Sequence, residues 1–102
     1  MLGGDGDDKL YGQGNNDTLV GGAGADVLDG GADVDTASYE GSGSGVNVDL
    51  ARQGGGQTQS GGDAEGDVLI RIENLTGSNF NDVLKGSSGA NVLNGLDGDD
   101  SI

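Results

Sequence analysis

The chain opens with four consecutive blocks of nine residues, GGDGDDKLY (3–11), GQGNNDTLV (12–20), GGAGADVLD (21–29) and GGADVDTAS (30–38), and these blocks decide its fold. Each block has Gly at its first position, Asp at its sixth and an apolar residue at its eighth. The sixth positions are Asp8, Asp17, Asp26 and Asp35, and the eighth positions are Leu10, Leu19, Leu28 and Ala37. A frame kept over four blocks predicts a repeat architecture.

The same frame returns near the C-terminus. The blocks there are GSNFNDVLK (77–85), GSSGANVLN (86–94) and the incomplete GLDGDDSI (95–102). Gly30 and Gly77 are 47 residues apart, which is five blocks and two residues, so the middle of the chain is an insertion. A half-block precedes Gly77, with Glu73 at its sixth position and Leu75 at its eighth. We expect one continuous domain made of a repeat block (1–38), a spacer (39–76) and a second repeat block (77–102).

Composition excludes several classes of function. Among 102 residues there are 18 Asp or Glu, four Lys or Arg, and no His or Cys, for a formal charge of −14. Zinc, haem and iron–sulfur sites need His or Cys ligands, and a nucleophile activated by histidine is equally excluded. Such an acidic chain repels phosphate, so we expect no nucleic-acid partner. No apolar run approaches the length of a membrane span.

The same composition opposes folding. With 24 Gly and 31% apolar residues, the chain resembles a disordered acidic segment, which is the alternative interpretation and the state we expect without a ligand. The nine-residue frame argues that the chain folds when something besides an apolar core stabilises it.

The blocks match the nonapeptide G-G-x-G-x-D-x-U-x, and the chain therefore resembles the RTX, or hemolysin-type calcium-binding, family over residues 3–38 and 77–102. The segments DTASYEGSGSGVNVDL (35–50) and GDVLIRIENLTGSNFNDVL (66–84) resemble the spacer found between RTX blocks. The resemblance implies an all-β fold, a right-handed parallel β-roll. It also implies a piece of a longer bacterial protein with flanking domains, exported by a type I system and folded by extracellular calcium.

The nine-residue unit has a simple physical interpretation. Its first six residues form a tight turn, and where Gly is replaced at the fourth position the substitutes are Asn15 and Asp33, which tolerate positive φ. Its last three residues form a minimal strand with one apolar side chain on one face. Eighteen residues then complete a coil, and successive strands alternate between two parallel sheets.

Stacked turns place Asp carboxylates beside one another, which is repulsive unless a cation lies between them. Ca²⁺ suits this position because it accepts six to eight carboxylate and carbonyl oxygens, whereas Mg²⁺ demands strict octahedral geometry. We expect about three to five calcium ions and a metal that acts as a folding ligand.

The resemblance also implies which residues bind each ion. Each ion lies between one turn and the turn two blocks later, and it is held by backbone carbonyls and by both Asp carboxylates. The implied sites are Gly4, Gly6 and Asp8 with Gly21, Ala23 and Asp26; Gln13, Asn15 and Asp17 with Gly30, Ala32 and Asp35; and Ser78, Phe80 and Asp82 with Gly95, Asp97 and Asp100. A fourth pair, Glu73 with Asn91, departs from the pattern at both acids and could stay empty.

The spacer divides into three parts. Val46, Val48 and Leu50 alternate with polar residues, which predicts a strand. Residues 51–66 lack periodicity and are expected to form a mobile loop, and residues 68–72 are expected to form a further rung. Tyr39, Phe80 and the spacer aliphatics should form the conventional hydrophobic cluster.

These observations predict a calcium-binding module that is not an enzyme. The alternative is a polysaccharide-binding or adhesin module with an extracellular glycan as partner. Four Lys and Arg residues can hardly form the basic groove that a polyanionic glycan would need.

Overall fold

The computed structural model describes residues 1–54, 56–98 and 100–102, and it is built almost entirely from short strands. The strands found in these residues are β1 (Lys9–Tyr11), β2 (Thr18–Leu19), β3 (Val27–Asp29), β4 (Thr36–Ser38), β5 (Asn47–Asp49), β6 (Val68–Ile70), β7 (Asn74–Thr76), β8 (Val83–Lys85) and β9 (Leu93–Asn94). A single 3-10 turn, Gly62–Ala64, is the helical element of the described residues. Over these residues, no helix has the length and apolar character needed to cross a membrane.

All pairings between named strands are parallel, and their order confirms the roll. The sheets are β1-β3-β6, β2-β4-β7-β9 and β5-β8. Leu10 lies opposite Leu28 in one sheet, and Leu19 lies opposite Ala37 in another. Paired residues of the first four blocks are therefore 18 apart, which is the predicted length of one coil.

The eighth-position side chains form the core. Leu19, Leu28 and Ala37 are fully buried, and the equivalent residues Leu75 and Leu84 have exposed fractions of 1% or less. Tyr39 and the spacer aliphatics Val46, Val48, Leu50, Leu69 and Ile72 join the same cluster. The prediction that Phe80 belongs to it is wrong, because this side chain is 48% exposed. Phe80 occupies a turn position whose side chain points away from the sheets.

The turns adopt the left-handed conformation that the block pattern predicts. Asn15 and Asp33, at the fourth position of their blocks, both have φ of 70°. Gln13, at the second position, has φ of 71°. Asn and Asp tolerate this region because their short polar side chains bond locally.

The spacer continues the roll but interrupts the order of its strands. β6 takes the place beside β3 that the next strand of the chain would have filled, and β5 pairs with β8 instead. Residues of the loop between β5 and β6 fill the intervening space: Gly54 donates its N–H to Leu69 O, and Ser60 forms an antiparallel bridge with Asn47. Gln59 is buried, with its side-chain amide donating to Asp49 O and Arg52 O. The region 51–66 is therefore more extensively bonded than its sequence indicates.

Truncating a core leucine tests this packing. Leu28→Ala removes a fully buried side chain and is expected to lower the free energy of unfolding by about 2–5 kcal/mol. Leu2→Ala is the matched control, because Leu2 is 81% exposed and its truncation should change stability little. Urea unfolding at fixed calcium concentration measures both. Equal effects would contradict the burial of Leu28 between the sheets.

Candidate metal sites

The sixth-position acids form a ladder along each edge of the roll. The backbone N–H of Asp8 donates to Asp26 Oδ1 at 2.9 Å, and that of Asp17 donates to Asp35 Oδ1 at 2.9 Å. The N–H of Asp82 donates to Asp100 Oδ1 at 2.8 Å in the second repeat block. One oxygen of each later carboxylate is thus fixed by the turn that precedes it by 18 residues.

The other oxygen of the acids in the first block has no partner. Oδ2 is buried and makes no hydrogen bond in the residues described for Asp8, Asp17, Asp26 and Asp35. Burial without compensation disfavours the charged form, and burial accordingly raises the pKa of Asp26 and of Asp35. A buried carboxylate oxygen without a donor is costly, and a bound cation would remove that cost.

Each unpartnered oxygen lies next to a carbonyl of the following turn. A methyl group placed on Gly3 would lie 2.8 Å from both Asp8 Oδ2 and Gly21 O. A methyl group on Gly12 would lie 2.7 Å from Asp17 Oδ2 and 2.8 Å from Gly30 O. The two kinds of oxygen therefore converge on one small space, which explains why the first position of the block is Gly.

Further carbonyls face the same gaps. The carbonyl oxygens of Gly4 and Gly6 point toward the α-carbons of Gly22 and Gly24, so a side chain there would meet them. Gln13 O faces Gly31 in the same way and also accepts the N–H of Ala32 at 2.8 Å. Of the predicted carbonyl ligands, Gly4, Gly6, Gln13, Gly21 and Gly30 thus line the gaps between paired turns. Asn15, Ala23 and Ala32 lie in the exposed parts of the same turns, and their role as ligands stays a prediction.

The donor set is all oxygen. Over residues 1–54, 56–98 and 100–102, no three acidic side chains come together as a metal cluster, so carbonyls would have to complete each site. Two carboxylates with several backbone carbonyls form a flexible set of hard donors, which fits Ca²⁺ better than Mg²⁺. The buried unpartnered oxygens of the first block fit such an ion.

The second repeat block differs, because its turn satisfies its own acid. Asp82 accepts hydrogen bonds from Ser78 N, Ser78 Oγ and Val46 N. Its predicted partner residues Gly95, Asp97 and Asp100 lie in the turn 18 residues later, and Phe80 O faces Gly98 there. This gap has the predicted arrangement of backbone, but its first carboxylate is already hydrogen-bonded.

The pair Glu73 and Asn91 is joined without an ion. Asn91 Nδ2 donates to Glu73 O at 2.6 Å, which replaces a cation-bridged contact by a direct hydrogen bond. As the frame predicted, Glu73 takes the sixth position of a turn, since its Oε1 accepts the N–H of Asp35 at 2.8 Å.

Asp67 extends the other ladder and was not among the predicted residues. Its Oδ1 accepts the N–H of Asp26 at 2.8 Å, and its Oδ2 accepts the Tyr39 hydroxyl at 3.0 Å. Burial raises the pKa of Asp67 to about 7. The signal in the sequence is the spacing Asp67-x-Leu69, which repeats the acid and leucine positions of the blocks outside their glycine frame.

Comparison with known families agrees with the nine-residue frame. A family model described as RTX calcium-binding nonapeptide repeat matches four copies, at residues 2–37 and 72–102, which is more than half of the chain. No curated protein matches the chain.

Glycine at the first block position can be tested within one turn. Gly12→Ala would push a methyl group against Asp17 Oδ2 and the Gly30 carbonyl, and we expect it to weaken both calcium binding and stability. Gly14→Ala in the same turn is the control, because a methyl group on Gly14 would meet no heavy atom within 4 Å. Calcium titrations followed by circular dichroism compare the two variants. A calcium midpoint equally affected by both would contradict the crowding at Gly12.

Acid is expected to favour the metal-free roll. Burial raises the folded-state pKa of Asp26, Asp35 and Asp67, so their protonation contributes stability at low pH that is lost as pH rises through the folded-state values. In buffer freed of divalent cations, the β-sheet signal and the free energy of unfolding should therefore be higher at about pH 5 than at about pH 8. Circular dichroism and urea unfolding measure this difference, and greater metal-free stability at the alkaline value would contradict the burial of these acids.

Proposed function

The chain belongs to the RTX calcium-binding nonapeptide repeat family, and from this we propose that it is a calcium-binding module whose folding is coupled to the binding of several calcium ions. The observation that carries the proposal is the buried, unpartnered Oδ2 of Asp8, Asp17, Asp26 and Asp35. Each is an anionic oxygen that has lost water without gaining a donor. A calcium ion would supply the missing interaction.

Two gaps of the first block are the best supported sites. In one, the ligands would be the carboxylates of Asp8 and Asp26 with carbonyls of the two turns, among them Gly4, Gly6 and Gly21. In the other, they would be the carboxylates of Asp17 and Asp35 with carbonyls that include Gln13 and Gly30. The gap between Asp82 and Asp100 is a third candidate, with an ion competing against the hydrogen bonds of Ser78. Together with sites at the spacer, this corresponds to about three to five ions.

Coupling of folding to calcium follows from charge. The chain carries a formal charge of −14, and folding stacks its acids along the edges of the roll. Ligands separated by 18 residues come together only in the folded coil, so binding free energy is also folding free energy. The metal-free chain should therefore be largely disordered, and calcium should stabilise the fold by mass action.

Such a module suits a secreted bacterial protein. Low cytosolic calcium would keep the chain unfolded and competent for export by a type I system, and extracellular calcium would then fold it. We propose that the module serves a longer extracellular chain through flanking domains, in a binding and not a catalytic role. Family membership supports this setting.

A polar cleft in the spacer favours glycan binding as the second candidate function. The cleft has a volume of about 480 Å³ and is lined by amide, acidic and basic groups that include Asn47, Asp49, Arg52, Gln59 and Lys85. It gathers two of the four cations of an otherwise acidic chain. Binding of an acidic oligosaccharide to the calcium-loaded chain that is weakened by Arg52→Gln would support this function, and binding that Arg52→Gln leaves unchanged would oppose it.

A calcium titration with matched charge variants tests the main proposal. We expect little β-sheet signal in excess chelator and a cooperative gain on adding calcium, with no equivalent gain from magnesium. Asp8→Asn removes one ligand charge and should raise the calcium midpoint. Asp5→Asn makes the same change of charge at an exposed position of the same turn and should leave the midpoint nearly unchanged. A folded spectrum in chelator, or equal shifts in both variants, would contradict calcium-coupled folding at these sites.

A further inference from the structure

One more unpartnered oxygen lies where the first repeat block meets the spacer. Asp35 is fully buried, and its Oδ1 is occupied by the N–H of Asp17 at 2.9 Å. Its Oδ2 has no hydrogen-bond partner among the described residues. Since Oδ1 faces the preceding turn, Oδ2 is the oxygen left for the turn that follows, which belongs to the spacer.

The spacer directs oxygens at this atom. A methyl group placed on Gly30 would lie 2.6 Å from Asp35 Oδ2 and 2.5 Å from Arg71 O, so both oxygens border one small space. Glu73 comes to the same gap, because its Oε1 accepts the N–H of Asp35 at 2.8 Å and its own N–H donates to Asp35 O at 3.1 Å. Asp35 and Glu73 are 38 residues apart, which lies outside the nine-residue frame.

This arrangement reproduces that of the repeat gaps with different residue types. In the gap between Asp17 and Asp35, the unpartnered Asp17 Oδ2 borders Gly30 O. In the spacer gap, Asp35 Oδ2 borders Arg71 O, and the later acid is Glu73 instead of Asp. Only Arg71 and Ile72 separate β6 from this acid, whereas five residues precede the acid of a regular block.

Arg71 contributes its backbone and not its charge to the gap. Its guanidinium is held at Asp29, with Nε to Oδ1 at 3.1 Å and Nη2 to Oδ2 at 2.7 Å. Its φ of 50° lies in the left-handed region, as at the turn positions of the blocks whose carbonyls face a gap. The cation of Arg71 therefore does not neutralise Asp35, which leaves the gap acidic.

The neighbouring gap between Asp26 and Asp67 provides a contrast. There the later acid has both oxygens hydrogen-bonded, one to the N–H of Asp26 and the other to the Tyr39 hydroxyl. Glu73 receives no such hydroxyl within the residues described. Of the two gaps that the spacer closes, the one at Glu73 is therefore the better cation site.

We propose that Asp35 Oδ2, the Arg71 carbonyl and the Glu73 carboxylate form an additional calcium site that joins the spacer to the first repeat block. The proposal rests on the proposed calcium-binding function and adds a site outside the nonapeptide frame. Because the spacer turn is short and supplies few carbonyls, water would complete the coordination of the ion. The site would fix the spacer onto β4 only when calcium is present.

Counting bound ions tests this site in the whole chain. Equilibrium dialysis against saturating calcium gives the number of ions bound to the wild type, to Glu73→Gln and to Glu40→Gln. The Glu73→Gln variant keeps an acceptor for the Asp35 N–H but loses the charge, so it should bind one ion fewer. Glu40→Gln, at an exposed position, should bind the full number. An equal number of ions with equal affinity in all three proteins would overturn the proposal and leave the repeat sites intact. A wild type that binds no calcium would instead overturn the proposed function.

Anomalous scattering covers the case in which Glu73→Gln fails to fold. Crystals of the wild type grown with calcium, or with terbium in its place, should show an anomalous peak between the two carboxylates and Arg71 O. Peaks confined to the gaps between blocks, with none at Glu73, would overturn the additional site.

Discussion

Each turn of the first repeat block buries a carboxylate that the protein satisfies only by half. One oxygen of Asp26 or Asp35 accepts an amide from the preceding turn, and the other is sealed from water without a donor. The rest of the turn follows from this constraint. Gly at the first block position leaves room for the carboxylate, left-handed residues at the second and fourth positions aim carbonyls across the gap, and the leucine two residues after the acid packs the strand against the opposite sheet.

The roll divides this problem differently along its length. In the first block the acids are left to a cation, whereas Ser78 donates twice to Asp82 and Asn91 bonds directly to the backbone of Glu73. Asp67 is intermediate, since the Tyr39 hydroxyl supplies the donor. Hydrogen bonds to side chains are thus used where the nonapeptide loses its glycines. Dependence on calcium should accordingly be strongest in the first block and at its junction with the spacer.

The architecture was predictable from the sequence because spacing alone determines it. A period of nine with one apolar position requires coils of 18 residues, and the pairing of Leu10 with Leu28 agrees with that requirement. What spacing could not reveal is the outcome of contacts across the insertion. Asp67 and Glu73 meet Asp26 and Asp35 only because β6 and β7 dock where they do, which depends on three-dimensional packing over some 40 residues. Phe80 was misplaced for a related reason, since an aromatic side chain was assumed to seek the core although its turn position points outward.

The acid ladders also have a direction. The amide of Asp8 is satisfied by a carboxylate that comes later in the chain, and the same holds for Asp17, Asp26, Asp35 and Asp82. A chain that emerges from its N-terminus therefore always carries a last turn whose amide still awaits its acceptor. A chain that emerges from its C-terminus meets each acceptor before the donor that needs it, so every new turn can close on arrival. The roll is in this sense a one-way zipper, and the end that reaches calcium first decides whether its turns are completed one at a time or held open together.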